Sequence, residues 1–148
     1  MPDDELEGRT GSPFTMALEL GKVREFARAT KSSHPDYLDG QSPPIPATFL
    51  QTSVFWQGAG TSPWDGIDRN YERLLHGGQE FVFHGPPPTA GTVLTGQTRI
   101  DRVYEKAGKR GGTMTFTEVV TEYRDEAGEL VAESRSTSIE TSKATRER

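Results

Sequence analysis

The chain has 148 residues, a mass of 16.3 kDa and no cysteine, so one domain with a single core is expected, without disulfides, a thiol nucleophile or thiolate metal ligands. Its 17 basic and 22 acidic residues leave a formal charge of −5, the wrong sign for the basic face that nucleic acid binding requires. No apolar run approaches the ~18 residues of a membrane span, and the opening MPDDELEGRTGSP is acidic rather than signal-like, which points to a cytoplasmic protein.

Residues 1–12 read as a disordered arm, residues 13–142 as the domain and residues 143–148 as a polar tail. FTMAL (Phe14–Leu18) has the composition of a short strand. In GKVREFARATK, with Leu20 just before it, Leu20, Val23 and Ala27 fall at helical spacing with Phe26 beside them, which predicts an amphipathic helix. SSHPDYLDGQSPP is rich in Pro, Gly and Asp and reads as a loop. PATFLQTSVFW (Pro46–Trp56) starts with a proline suited to a first helical turn and is apolar nearly all round, so an enclosed helix is expected. QGAGTSPWDGIDRN is a second loop and lacks the glycine spacing and Lys-Ser/Thr of a phosphate loop.

Beyond it the chain turns β. QEFVFHG carries Phe81, Val82 and Phe83, with Gly77-Gly78 before it as the mark of a bulge. Thr92–Ala107 and Gly112–Glu126 are Thr- and Val-rich and separated by GKRGG, a hairpin signal. DEAGE then turns into LVAESRSTSIETS. Long strands joined by short turns are antiparallel. One apolar helix ahead of them supplies the cover that a sheet with one greasy face needs. The expected architecture is α+β, a curled antiparallel sheet wrapped around one helix.

Three groupings bear chemistry. His76, Glu80 and His84 stand four residues apart, but on a strand that is ~13 Å, too far for one metal ion. No metal site is expected, and His76 and His84 read as strand-end residues, with His76 also able to donate to a ligand carbonyl beside Gly77. Ser32, Ser33, His34 and Asp36 hold the letters of a hydrolase triad, yet triad members converge from separate parts of a chain. Lys106, Lys109 and Arg110 cluster at a hairpin tip, and with Arg69 and Arg73 they offer either a solvated face or an anchor for carrier phosphates.

The order of elements, and above all LHGGQEFVFHGPPPTAGTVLTG followed by strands ending DEAGELVAESRSTSIET, resembles the MaoC-like dehydratase/hydratase family, most of all its N-terminal, FAS1-type dehydratase branch. The resemblance covers roughly residues 13–142. It implies the hot-dog fold, a curved antiparallel sheet around a long central helix. It also implies addition or removal of water at the double bond of an acyl thioester, with no further cofactor. Active members carry Asp-x-x-x-x-His before the central helix, because a carboxylate and an imidazole must grip one water between them. Aligned through Pro35, those two positions fall on Ser32 and Tyr37, neither of which is a base near neutral pH.

On this resemblance the chain is a non-catalytic, substrate-binding subunit whose partner is a hot-dog chain bearing the dyad. Tyr37, Phe49, Ser53, Phe55, Trp56, His76 and Gly77 are then the expected substrate contacts, in a tunnel formed with Leu50, and the five basic residues meet the carrier, coenzyme A or acyl carrier protein. Two other classes stay open. One is a stand-alone hydratase using His34 or a thioesterase using Glu80; the other is a non-enzymatic acyl-CoA binder.

Overall fold

A computed structural model describes residues 3–142. Helix α1 (Asp3–Leu6) is followed by β1 (Phe14–Ala17), α2 (Leu20–Ala29) and α3 (Pro35–Asp39), then by a central 3₁₀ helix (Phe49–Trp56) and a 3₁₀ turn (Tyr71–Arg73). Strands β2 (Leu74–Phe83), β3 (Val93–Ala107), β4 (Thr113–Arg124) and β5 (Leu130–Thr141) complete the domain. The strands form one antiparallel sheet in the order β1-β3-β4-β5-β2.

The turns account for that order. Between β3 and β4, Gly111 and Gly112 take φ of 86° and 77°, a region that glycine enters without steric cost. Between β4 and β5, the Asp125 carboxylate accepts the N–H groups of Ala127 and Glu129, closing the turn with a local side-chain bond. A bulge sits at Gly77, where the β2–β5 register shifts between His76 and Gly78, as the paired glycines predict. A Cβ at Gly77 would meet the Ile139 side chain at 2.8 Å, so the bulge needs glycine for space.

Alternation puts Leu94, Gly96, Tyr123 and Ala132 on one face, and these join Phe14, Met16, Leu18, Val23, Ile45, Phe49 and Leu50 in a single buried cluster. Helix α2 turns Val23 and Ala27 into it, and Phe26 sets its ring edge-on to Phe49 at 5.5 Å.

Three expectations are corrected. The helix over residues 46–56 is shorter and tighter: it is a 3₁₀ helix beginning at Phe49, after a Phe49 N–H to Pro46 carbonyl bond. Thr48, Thr52 and Val54 are β-branched, and the Thr52 hydroxyl donates to the Phe49 carbonyl three residues back, which favours the tighter winding. Nor is it enclosed all round. Phe49, Leu50, Thr52 and Ser53 are buried, but Val54 and Phe55 are 61% and 72% exposed.

The second correction concerns the arm. Residues 3–12 are folded against the sheet: Gly8 and Gly11 donate to the Ile100 and Thr98 carbonyls, and Ile100 donates back to Arg9. Strand β3 far outruns β1, and its edge carries peptide groups that would otherwise lack partners. The domain thus includes the segment placed outside it, while Met1, Pro2 and the tail at 143–148 lie outside the described residues. Third, the polar loop contains α3, with His34 as its N-cap and Pro35 in its first turn. Among the described residues no helix is long and apolar enough to cross a membrane.

Candidate functional site

The loop that carries Ser32 and Tyr37 is held by its own backbone. Ser32 donates its N–H to the Ala27 carbonyl at the end of α2, and the His34 Nδ1 accepts the Asp36 N–H at 3.3 Å. That bond caps α3 and engages the very nitrogen that faces the Asp36 carboxylate, 3.8 Å away. The two side chains are 61% and 66% exposed. A dyad that fixes one water needs a sheltered space between acid and base; here both groups stand in solvent. The Tyr37 ring lies 5.5 Å from that of His34 and packs partly against the core. Downstream, Ile45 donates to the Pro88 carbonyl and the Ser42 hydroxyl to that of Ala90, so the loop is fastened beyond the Phe83 end of β2.

The expected tunnel residues divide by depth. Phe49 and Leu50 are core, Ser53 is buried beneath the helix, Trp56 is half-buried against the core, and Phe55 is on the surface with the Lys22 ammonium 4.7 Å above its ring. Ser53 hydrogen-bonds the phenol of Tyr123, which burial pushes up to about 12 although the serine acts in the opposite sense. Tyr123 therefore stays protonated at neutral pH and serves as a donor, not a base.

A second concavity of about 460 Å³ opens at the other end of the same face, where Trp64 and Ile67 overhang Thr115, Thr117 and Ser138. The Arg69 guanidinium lies 3.7 Å over the Trp64 ring and donates to the Ser138 hydroxyl at 3.0 Å. Burial lowers its pKa despite the opposing influence of Tyr71 and Glu140. Beside it, Arg73 is ion-paired to Glu140 at 3.0 Å.

His76 pairs with Ser138 in the register and so belongs to this end of the sheet. It lies seven residues, or about 23 Å, from Phe83. Among the described residues no hydrogen bond or ring contact joins it to Tyr37, so these two expected thioester contacts are not brought together. The expected phosphate anchors also part. Arg69 and Arg73 serve the concave face, whereas Lys106 lies about 5 Å from the stacked rings of Tyr104 and Phe116 on the opposite one. Lys109 and Arg110 are exposed at the hairpin tip.

Among the described residues no group of His, Asp and Glu could hold a metal ion. Glu80 is exposed and pairs across β5 with Arg135. His84 instead contacts the buried Glu133 at 2.8 Å. Burial pushes the Glu133 carboxyl up, but His84 and Arg135 outweigh it and hold that carboxyl below its ordinary range. The sequence reading missed Trp64, Ser138 and Glu133. For Trp64 the signal was an arginine shortly after a tryptophan in WDGIDR; for the other two the register was needed.

Residues 6–134 match the family model described as the FAS1-like, dehydratase domain region. The chain belongs to that family. FAS1-like dehydratase relatives include a UPF0336 protein of Streptomyces griseus, 34% identical over 142 residues, covering 87% of this chain and 88% of the relative. A UPF0336 protein of Saccharopolyspora erythraea is 32% identical, covering 93% of this chain and 90% of its own length.

Among solved structures, the C-terminally truncated HadBC (3R-hydroxyacyl-ACP dehydratase) complex of Mycobacterium tuberculosis superposes with a TM-score of 0.68 at 26% identity, over 90% of this chain and 96% of that one. The ChsH1–ChsH2 complex of the same organism gives 0.73 at 15% identity, over 93% and 86%, a likeness of fold alone. The curved antiparallel sheet is thus the hot-dog fold of MaoC-like dehydratases, as the sequence predicts.

Proposed function

We propose that this FAS1-like dehydratase chain is the substrate-binding, non-catalytic half of an enoyl-thioester hydratase or 3-hydroxyacyl-thioester dehydratase. Its partner is a second hot-dog chain that brings the carboxylate and imidazole. One observation carries the reading: Ser32 and Tyr37 stand at the dyad positions, and the only nearby imidazole spends its Nδ1 on capping an exposed five-residue helix. Two similar structures are complexes of named subunits, HadBC and ChsH1–ChsH2, which supports a paired arrangement.

The division of labour follows from the chemistry. The partner's dyad holds a water, moves hydroxide to the β-carbon and places a proton on the α-carbon. This chain contributes an apolar wall for the acyl group from Val54, Phe55 and Trp56, whose exposure in the single chain is unusual for large apolar groups and suits a covered surface. Tyr37, at the margin of that wall, offers a hydroxyl to the substrate. Lys106, Lys109 and Arg110 give the end of the sheet a positive rim that attracts a phosphate-bearing carrier, whether coenzyme A or acyl carrier protein.

Turnover of a 2-enoyl-CoA, followed as loss of the enoyl absorbance, tests the proposal. The chain alone is expected to give no rate above background, and co-purification with a hot-dog chain bearing Asp-x-x-x-x-His to raise it by at least about a thousandfold, the joint scale of acid–base and positioning effects. Full turnover by the chain alone, or thiol release in place of hydration, would refute it.

A further inference from the structure

The groove beneath Trp64 lies at the end of the sheet away from this chain's own loop. The loop is fastened beside Pro88 and Ala90, past the Phe83 end of β2, whereas Arg69 bonds Ser138, which pairs with His76 near the Leu74 end. Ten residues of strand separate the two ends by about 30 Å. Within one chain the groove and the loop cannot serve one reacting centre.

Pairing changes that geometry. The sheet has two outer strands: β1, of four residues and continued by the segment at 8–11 along β3, and β2, of ten residues with neither proline nor lysine. The second is the long open edge, and such an edge takes up another strand. Two hot-dog halves related by a two-fold or pseudo-two-fold axis join like edges antiparallel. The Leu74 end of this chain then lies beside the far end of the partner's equivalent strand, where a loop corresponding to Ser32–Tyr37 is fastened.

Resting on the paired-subunit reading above, we infer that the Trp64–Arg69 groove completes the partner's active site in trans, by binding the uncharged, amide-bearing pantetheine arm of the thioester. Such an arm needs donors and acceptors set on an apolar bed. Thr115, Thr117 and Ser138 supply hydroxyls that act as either, and Trp64 and Ile67 supply the bed. Stacking on Trp64 fixes the Arg69 fork, and its hydrogen bond to Ser138 uses one of five N–H donors. Charge also decides the class of ligand. Arg69 and Arg73 are set against Glu105 and Glu140, a balance that suits a neutral arm and not the phosphates beyond it.

The experiment compares 2-enoyl thioesters of pantetheine and of N-acetylcysteamine on the co-purified complex, since the two differ in the length of the arm and neither carries a phosphate. Arg69→Met, which keeps an apolar stem over Trp64 and removes the donors, is expected to raise KM for the pantetheine thioester about tenfold, with kcat unchanged and the N-acetylcysteamine thioester unaffected. Thr117→Val, nearly isosteric and on the same face, should show the same split at about threefold and guards against misfolding in the first variant. Equal losses on both substrates, or no change on either in an active complex, would overturn the inference and leave the pairing intact. A wild-type complex without turnover, or a lone chain with it, removes the pairing and the inference together.

Discussion

Phe49→Ala is expected to lower the free energy of unfolding by about 3–5 kcal/mol, read from the denaturant midpoint. Phe49 has no exposed surface, begins the central 3₁₀ helix and receives the edge of Phe26 at 5.5 Å, so its ring joins that helix to α2. A 3₁₀ helix has little stability of its own, because its hydrogen bonds are poorly aligned and its side chains eclipse. What holds this one is burial of Phe49 and Leu50 beneath it. A domain of this size has ~5–15 kcal/mol in total, so the variant is expected to be partly unfolded at physiological temperature. A loss below about 1 kcal/mol would mean that the sheet and α2 close the core without this helix.

Gly96→Val is expected to be as damaging, by crowding instead of by a void. Gly96 is opposite Phe14 in the β1–β3 register, and a Cβ there would lie inside the Phe14 ring, whose atoms are its three nearest neighbours. The ring rests on bare backbone and meets Tyr123 edge-on at 6.3 Å. A larger residue drives Phe14 out and takes β1 with it, at a cost of about 3 kcal/mol or more. The two positions share one space, so Phe14→Leu with Gly96→Ala should lose less than the two single changes summed, and strict additivity would contradict that packing.

The sheet was legible because its signals are local. Strands β3, β4 and β5 alternate over long runs, and GKRGG and DEAGE announce their turns, so strand bounds came within about two residues. The Gly77 bulge was legible for the same reason: paired glycines in a strand mark a place where a side chain cannot fit. The central helix was misread in type because its pattern is apolar all round and has no helical period to measure. Its exposed Val54 and Phe55 show that an all-apolar pattern can face a partner as well as a core. The folded segment at 3–12 was illegible because what orders it is the free edge of β3, nearly a hundred residues away in sequence.

The candidate site was legible in the residues that fill it and not in how they are grouped. That Ser32 and Tyr37 replace an acid–base couple is a matter of reading letters, whereas the capping bond from His34 to α3 depends on the backbone. The basic residues read as one cluster because three are close in sequence. Alternation along β3 puts Lys106 on the face opposite the one that Arg69 reaches through Ser138. The groove around Trp64 draws on five separate segments and on register, so no short motif could announce it.

The most direct test of whether this chain leaves acid–base chemistry to its partner is the pH dependence of kcat in the paired complex carrying His34→Asn and Asp36→Asn together. Asparagine keeps a capping acceptor at the start of α3 while both titrating groups are gone. The wild-type rate and both limbs of the pH profile are expected to survive within about twofold. A fall of a hundredfold or more, or loss of either limb, would place the acid or base in this chain.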